Sequence, residues 1–235
     1  FSDFAGSSIV HSAGGWAALM GAVFLGPRIG KYGPDGKPRA IPGHNVGFAV
    51  VGVFVLWFGW FGFNAGSELA MDNWVAHCIM TTLLAGSAGV VGAGAAIWRK
   101  TGAMDVGMAG NGALAGLVSI TAGTGTMSFS GAVAVGFIGG VIVVYSVLFI
   151  ERKGIDDPVG AVSVHGVCGA WGTLAIGLFA RYDDAFLGRE DAGLFYGGGF
   201  DQLLVQAIGV VAVAVWVLGT SAILFKVLKS TVGLR

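Results

Sequence analysis

The chain has 235 residues, of which 55% are apolar and 11% are charged, and its formal net charge is zero. Ordinary soluble domains carry about 25% charged residues, so the composition argues against a soluble enzyme, and the balanced charge gives no reason to expect a nucleic-acid partner. The two cysteines, Cys78 and Cys168, lie inside apolar stretches and are predicted to be small buried side chains rather than a disulfide or a metal pair.

Six long stretches of the sequence carry no Lys, Arg, Asp or Glu. About 20 apolar residues span the bilayer core as a helix, and the longest stretch, residues 106–150, has a turn-like Gly-Thr-Gly-Thr at 123–126 and room for two spans. The apolar and polar residues do not alternate as they would in a barrel. We therefore predict an all-α polytopic membrane protein with seven transmembrane helices, at residues 4–26, 46–67, 74–98, 106–123, 131–150, 159–180 and 202–225.

The Lys and Arg residues of the connections predict an orientation. Alternate connections, with the C-terminal tail, hold eleven of them on one side, and only Arg181 and Arg189 lie on the other. Because cytoplasmic loops are enriched in positive residues, we expect the N-terminus outside and the C-terminus inside. The chain begins at Phe1 without an initiator methionine or a signal-peptide pattern, which favours a fragment or a processed form.

Two segments of the sequence repeat one pattern. Residues 3–11 and 157–165 both fit D-x-x-G-x-x-x-V-H, and Gly15 and Gly169 each follow four residues after the histidine. The copies open the first and the sixth span, so their helices are expected to run in opposite directions, as in the inverted repeats of transporters and channels. We predict a single membrane domain, 1–235, from an eleven-helix parent. Its parts are the last helix of a first repeat (1–26), a second five-helix repeat (46–180) and a final helix (202–225).

Each copy of the repeat begins with an aspartate beside the start of its helix. Asp157 precedes Pro158, and proline is favoured at the first position of a helix, so the Asp157 carboxylate is predicted to cap the free amides of the sixth span. Asp3 is predicted to cap the first span in the same way. Direct electrostatic stabilisation of a nearby cation is the alternative role for either carboxylate.

The two histidines of the repeat, His11 and His165, lie well inside their spans, each roughly 6 Å from the midplane. Ionisable residues at this depth face a pathway or a partner, and a symmetric pair favours the pathway over two core histidines bonded to helix carbonyls. No third ligand lies at metal-binding spacing, so no metal is expected. Two neutral imidazoles, each with one donor and one acceptor, suit a small neutral molecule that both donates and accepts.

The end of the second span is rich in aromatic residues. Five of the seven residues 57–63 are aromatic, and Ser67 follows one turn later. A membrane-interface belt is the ordinary explanation for such residues, but the density favours a mouth for a cation, which aromatic faces attract. The glycine pairs Gly112/Gly116 and Gly136/Gly140 are interpreted as helix-packing contacts.

With these motifs, the chain resembles the ammonium transporter family (Amt/Mep/Rh), on its Amt branch, over its whole length. The most specific similarity lies in five segments, residues 3–11, 59–67, 111–116, 164–169 and 231–235. The resemblance implies an eleven-helix inverted-repeat subunit, in a homotrimer with one pore for each subunit. The chain corresponds to the C-terminal seven helices, so the first four helices of the family and its regulatory tail are absent.

The resemblance also implies a role for individual residues. These are the twin pore histidines His11 and His165, the further pore-lining residues Trp60 and Leu56, the gate residue Phe63, and Ser67 and Asp3 at the outer ammonium site. Ser7 departs from the pattern, because the family usually has glycine there.

The implied function is passage of ammonium or ammonia across the cell membrane, with no cofactor. An isolated ion in hydrocarbon costs tens of kcal/mol, so ammonium is expected to bind at the aromatic mouth, lose its proton near the gate and cross as ammonia. An ammonium sensor with the same fold and a channel for another small neutral solute are the alternatives. For the basic loop 28–44 the resemblance implies a cytoplasmic PII-type regulatory protein, and a positive-inside anchor explains its charge equally well.

Overall fold

The computed structural model of the chain describes residues 1–181 and 192–234. The described part contains seven α-helices and no β-strand, only two isolated bridges. The helices are α1 (Ala13–Leu25), α2 (Val46–Gly66), α3 (Asn73–Thr101), α4 (Val106–Thr121), α5 (Phe129–Arg152), α6 (Cys168–Phe179) and α7 (Asp201–Thr231). Short π-helical segments, Ser7–Ser12 and Val162–Val167, lead directly into α1 and α6. Arg189 and its acidic neighbours Asp183, Asp184, Glu190 and Asp191, which belong to the predicted sixth connection, lie outside the described residues.

Six helical segments of the described chain are long and apolar enough to cross a membrane. They confirm the prediction of an all-α, multi-pass membrane protein, and their bounds agree with the predicted spans to within a few residues at most ends. The predicted fourth span is the exception, because α4 has only 16 residues, or about 24 Å, against a hydrocarbon core of about 30 Å. It ends at Thr121 and is followed by a turn. The side of the membrane on which each terminus lies stays a prediction.

Polar side chains mark the starts of the middle helices. Asn45, Asp72, Asp105 and Ser128 each precede a helix and accept a hydrogen bond from one of its first backbone amides, at 2.6–3.0 Å. Such caps satisfy amides that have no partner within the helix. At the other end of α3, Gly102 adopts a left-handed conformation with φ 76°, a common way to end a helix.

The core is formed by α3, α4 and α5, which pack through glycines. A methyl group on Gly116 of α4 or on Gly136 of α5 would overlap the carbonyl oxygen of Ala85 in α3. A methyl group on Gly140 would overlap the carbonyl oxygen of Gly89. The helix-packing interpretation of these glycines is therefore confirmed, and the short distances between backbones are typical of helix interfaces in membranes.

Two ion pairs connect the loop after α1 to the last turn of α5 and to the connection that follows it. The guanidinium of Arg28 donates two hydrogen bonds to Asp156, at 2.7 and 2.9 Å, and the ammonium of Lys31 pairs with Glu151. The Asp156 side chain is only 2% exposed. The pKa of Asp156 is held below its usual range, mainly by the hydrogen bonds from Arg28. These contacts join the loop after α1 to the region between α5 and the π-helical segment that contains His165.

The glycine contacts predict how stability responds to an added methyl group. Gly136→Ala forces the Ala85 carbonyl aside and is expected to lower the free energy of unfolding by about 1–3 kcal/mol. Gly219→Ala in α7 is the matched control, because nothing lies within 4 Å of the added carbon, and it is expected to raise helix stability by up to about 1 kcal/mol. Thermal unfolding in detergent measures both, and equal stability of the two variants would contradict the packing.

The Arg28–Asp156 pair predicts a pH-dependent contribution to stability. Arg28→Gln leaves a buried carboxylate without its cation and is expected to cost about 1–3 kcal/mol. Because Arg28 lowers the pKa of Asp156, this difference is fully present above the ordinary aspartate pKa of about 3.9. It is lost as the pH falls through the lowered value.

The control for this pH series is Lys37→Gln. The pair between Lys37 and Asp35 measures 4.0 Å and both side chains are more than half exposed, so its loss is expected to change the unfolding midpoint little at any pH. A pH-independent effect of Arg28→Gln would show that the charge of Asp156 is not involved.

Candidate functional site: a histidine pair between two π-helical turns

The two copies of the sequence repeat have the same local structure. Gly6 and Gly160 both have positive φ, 107° and 74°, a region that glycine enters without a steric penalty. After each glycine the first turn of the span is π-helical. Both histidines of the repeat, His11 and His165, lie within these turns. π-helical turns are rare and occur frequently at functional sites, and nothing in the sequence predicted them.

The Asp3 carboxylate lies at the start of the first π turn. It accepts hydrogen bonds from the backbone amides of Ser7, Ser8 and Ile9, at 2.6–2.9 Å. Burial raises the pKa of Asp3, and the amide hydrogen bonds oppose that shift. All of these contacts are with the start of its own helix, which is the geometry of a cap.

Asp157 makes the equivalent contacts in the second copy. It accepts hydrogen bonds from the amides of Ala161 and Val162, at 2.9 and 2.8 Å, and burial is the largest influence raising its pKa. The expected position of Pro158 was wrong. It lies in a turn with Val159, and the helix begins only at Ala161, because the left-handed Gly160 separates the proline from the helix.

The two π turns cross at small residues. A methyl group on Gly15 would overlap the backbone of Gly166, and one on Gly169 would overlap the Ser7 carbonyl. The Ser12 hydroxyl donates to the carbonyl of Gly166 at 2.9 Å. Early residues of one segment thus meet later residues of the other, the order expected for helices that run in opposite directions.

The crossing brings the two imidazoles together. The Nδ1 atoms of His11 and His165 are 3.3 Å apart, and the rings are roughly parallel, with centroids 5.3 Å apart. A hydrogen bond between these nitrogens needs one donor and one acceptor, so the pair cannot have both rings charged. Nε2 of His11 is buried and has no hydrogen-bond partner among the described residues.

Two aromatic side chains of α2 pack on His11. Trp60 stacks on the ring with centroids 4.9 Å apart and planes 16° apart. Phe63 lies at 5.3 Å with a tilt of 40°. Leu56, one turn before Trp60, has a side chain that is 53% exposed and has no described contact with the histidines. The structure therefore brings together His11, His165, Trp60 and Phe63 of the predicted site residues.

Ser67 follows the last turn of α2, one turn beyond Phe63. Its hydroxyl donates to the Phe63 carbonyl at 2.7 Å, which leaves the oxygen lone pairs able to accept a hydrogen bond. No hydrogen bond joins Ser67 to Asp3 in the described structure. One residue that the sequence did not single out lies at the site, Thr121, which accepts a hydrogen bond from Trp60. Glu68 follows Ser67 in the sequence. The pKa of Glu68 is raised by burial and then by the Asp72 charge.

Comparison with known proteins gives one consistent result. The family model described as "Ammonium Transporter Family" matches residues 1–235. The chain is 48% identical to ammonium transporter Amt2 of Archaeoglobus fulgidus over 99% of this chain and 50% of that protein. It is 38% identical to ammonium transporter 1 member 2 of Oryza sativa subsp. japonica, over 97% of this chain and 49% of that protein.

Two solved structures resemble the fold closely. A structure named "Sensor Amt Protein" superposes with a TM-score of 0.92 at 41% identity, over 100% of this chain and 56% of that one. The crystal structure of Candida albicans Mep2 gives a TM-score of 0.88 at 31% identity, over 100% of this chain and 52% of that one. The chain thus spans about half the length of the relatives that it matches.

The Asp3 geometry predicts a difference between two substitutions. Asp3→Ala removes all three acceptor contacts and is expected to cost about 1–2 kcal/mol of unfolding free energy. Asp3→Asn keeps one acceptor oxygen and is expected to cost less. Asp35→Asn, at an exposed carboxylate, is the control. If the Asn variant is as damaging as the Ala variant, the charge matters and not the cap.

Proposed function

The chain belongs to the ammonium transporter family, and we propose that it forms the part of a membrane transporter in which ammonia passes the paired imidazoles of His11 and His165. Its named relatives are transporters rather than enzymes, and the chain is a multi-pass membrane protein. The proposal goes further in assigning the histidine pair as pore lining, the aromatic end of α2 as the outer site, and deprotonation of ammonium as the step between them.

The single observation that carries the proposal is the contact of the two imidazoles at 3.3 Å. A neutral imidazole pair offers both donors and acceptors, which matches ammonia, a small neutral molecule that donates and accepts. An ammonium ion carries a desolvation cost of tens of kcal/mol in an isolated apolar site, and two rings that share a proton do not supply a negative charge to offset it. Passage past the pair therefore favours the neutral species.

The aromatic end of α2 supports an outer cation site. Trp60 and Phe63 lie next to His11, and their ring faces attract cations. The Ser67 hydroxyl adds an acceptor one turn further along the helix. Ammonium bound here is adjacent to the histidine pair. Its proton passes to solvent water at the outer mouth, where the surroundings change from ring faces to imidazole nitrogens, and ammonia moves on. Phe63 acts as the gate between the two, and Trp60 and Leu56 line the path below it.

The proposal also covers the division of the chain into repeats, its oligomeric state and its orientation in the membrane. Residues 1–26 form the last helix of a first repeat, 46–180 a second five-helix repeat and 202–225 the final helix, in a homotrimer of eleven-helix subunits. The N-terminus of the chain faces outward and the C-terminus inward. Equivalent caps, left-handed glycines and π turns in the two repeat copies support the inverted repeat.

The cytoplasmic loop 28–44 is the proposed contact for a PII-type regulatory protein. Two of its four positive residues, Arg28 and Lys31, are already held in ion pairs with Asp156 and Glu151. Lys37 and Arg39 are the exposed ones and would make the contact with an acidic partner surface.

The proposal is tested by measuring ammonium uptake into liposomes that contain the full-length protein. An ammonium gradient is expected to drive nitrogen uptake, and a potassium gradient of the same size is expected to give a far smaller flux, since potassium has no proton to lose. His165→Ala is expected to slow ammonium uptake at least about 10-fold, the effect of one lost site hydrogen bond and the space it leaves. Trp216→Ala, on an exposed side chain of α7, is the matched control, and potassium flux equal to ammonium flux would contradict deprotonation.

An ammonium sensor is the second candidate, and the 41% identity with the structure named "Sensor Amt Protein" favours it. A sensor would use the same outer site without sustained flux. The liposome experiment separates the two, because a sensor binds ammonium at the outer site while uptake stays at the level of protein-free liposomes.

A further inference from the structure

Thr121, the last residue of α4, holds Trp60 in its position against His11. Its side chain is fully buried, and its hydroxyl accepts a hydrogen bond from Nε1 of Trp60 at 3.0 Å. The same hydroxyl donates to the Leu117 carbonyl at 2.8 Å. Because its one proton is donated to the Leu117 carbonyl, the hydroxyl can only accept from the indole.

The turn that carries His11 also fixes the place of Thr121. The Ser7 hydroxyl donates to the carbonyl of Val118 at 2.8 Å and accepts from the amide of Ala122 at 2.7 Å. These two backbone groups have the i, i+4 spacing of an α-helical hydrogen bond. The amide of Ala5 donates to the Thr121 carbonyl at 3.2 Å. The end of α4 is therefore docked on the first π turn, and Thr121 cannot move independently of His11.

Besides its packing on α3 and α4, the helix of Trp60 has one further side-chain hydrogen bond to another helix in the described structure. In the described structure, the buried residues of α2 are Trp60, Asn64 and Ala65. The Asn64 side-chain amide donates to the Thr82 hydroxyl at 2.9 Å, one turn from Trp60. A buried indole N–H is costly without an acceptor, so loss of the Thr121 hydroxyl removes the hydrogen bond that favours the stacked position of the Trp60 ring.

We propose that Thr121 is a positioning residue of the pore, whose hydroxyl keeps the Trp60 indole flat against His11 and thereby determines how strongly the path discriminates between ammonium and its larger methylated analogue. The inference rests on the proposed transport function. In the proposed path the substrate passes the stacked edge of Trp60 and His11, and a methyl group adds volume there. A tilted indole therefore changes the passage of methylammonium more than that of ammonium.

Two substitutions of Thr121 and one control substitution, each made in the full-length protein, test the inference. Thr121→Val keeps the shape of the side chain and removes its hydroxyl. Thr121→Ser keeps the hydroxyl and removes the methyl group. Thr82→Val is the matched control, because it removes an equally buried hydroxyl that anchors α2 through Asn64 without touching Trp60. Each variant is measured for initial uptake of ammonium and of methylammonium in liposomes. The Trp60 indole ¹⁵N–¹H resonance, assigned with Trp60→Phe, is recorded by NMR.

Thr121→Val is expected to move the Trp60 resonance and to change the ratio of methylammonium to ammonium uptake by about 2- to 10-fold, the range that one net hydrogen bond supports. Thr121→Ser and Thr82→Val are expected to keep the parent ratio. An unmoved resonance, or an equal loss of both substrates, would overturn the positioning role. If the parent shows no uptake while the resonance moves as expected, the transport proposal fails and the orientation of Trp60 by Thr121 stands.

Discussion

The close crossing of the two π turns is the constraint on which the arrangement of the site depends. Gly15 and Gly169 lie where an added methyl group would overlap backbone atoms of the other segment, so any side chain there would push the two segments apart. The Nδ1 atoms are 3.3 Å apart, close to the longest distance at which such a hydrogen bond is formed. If the two segments moved apart by about 1 Å, the hydrogen bond between the imidazoles would be broken. The histidine pair therefore depends on the absence of side chains at these positions.

The unusual turns are stabilised by what surrounds them rather than by local propensity. A π turn is rare, and the β-branched and serine residues within Ser7–Ser12 and Val162–Val167 do not favour helix. The Asp3 and Asp157 carboxylates satisfy the first amides of the turns, and a left-handed glycine sets the direction in which each turn begins. The ion pair between Arg28 and Asp156 then ties the residue next to the second cap to the loop that follows α1.

The sequence predicted the features that are local or periodic. Uncharged runs located the helices, and the rare Asp and His of the repeat identified the two segments that meet, since each pattern lies within about ten residues. It did not predict that Pro158 lies outside its helix, that α4 stops at Thr121 or that the histidines lie in π turns. The position of Pro158 depends on the left-handed Gly160 two residues later. The end of α4 and the π turns lie among contacts between distant parts of the chain, such as the Ser7 hydroxyl with α4, 111 residues away, and such contacts leave no periodic signal. The roles expected for Leu56, Phe63 and Ser67 rest on the family resemblance and not on a pattern in the sequence.

The backbone symmetry of the site is not matched by its side chains, and this difference gives the proposed path a direction. Trp60 and Phe63 pack on His11, whereas the only ring contact described for His165 is with His11 itself. A cation is therefore stabilised by ring faces on one side of the pair only. Beyond His11 the substrate meets an imidazole pair that supplies no negative charge, in surroundings that disfavour any charged species. The boundary between these two environments is where the loss of a proton becomes favourable, so in the proposed mechanism the asymmetry of the lining, rather than either histidine alone, places the deprotonation step.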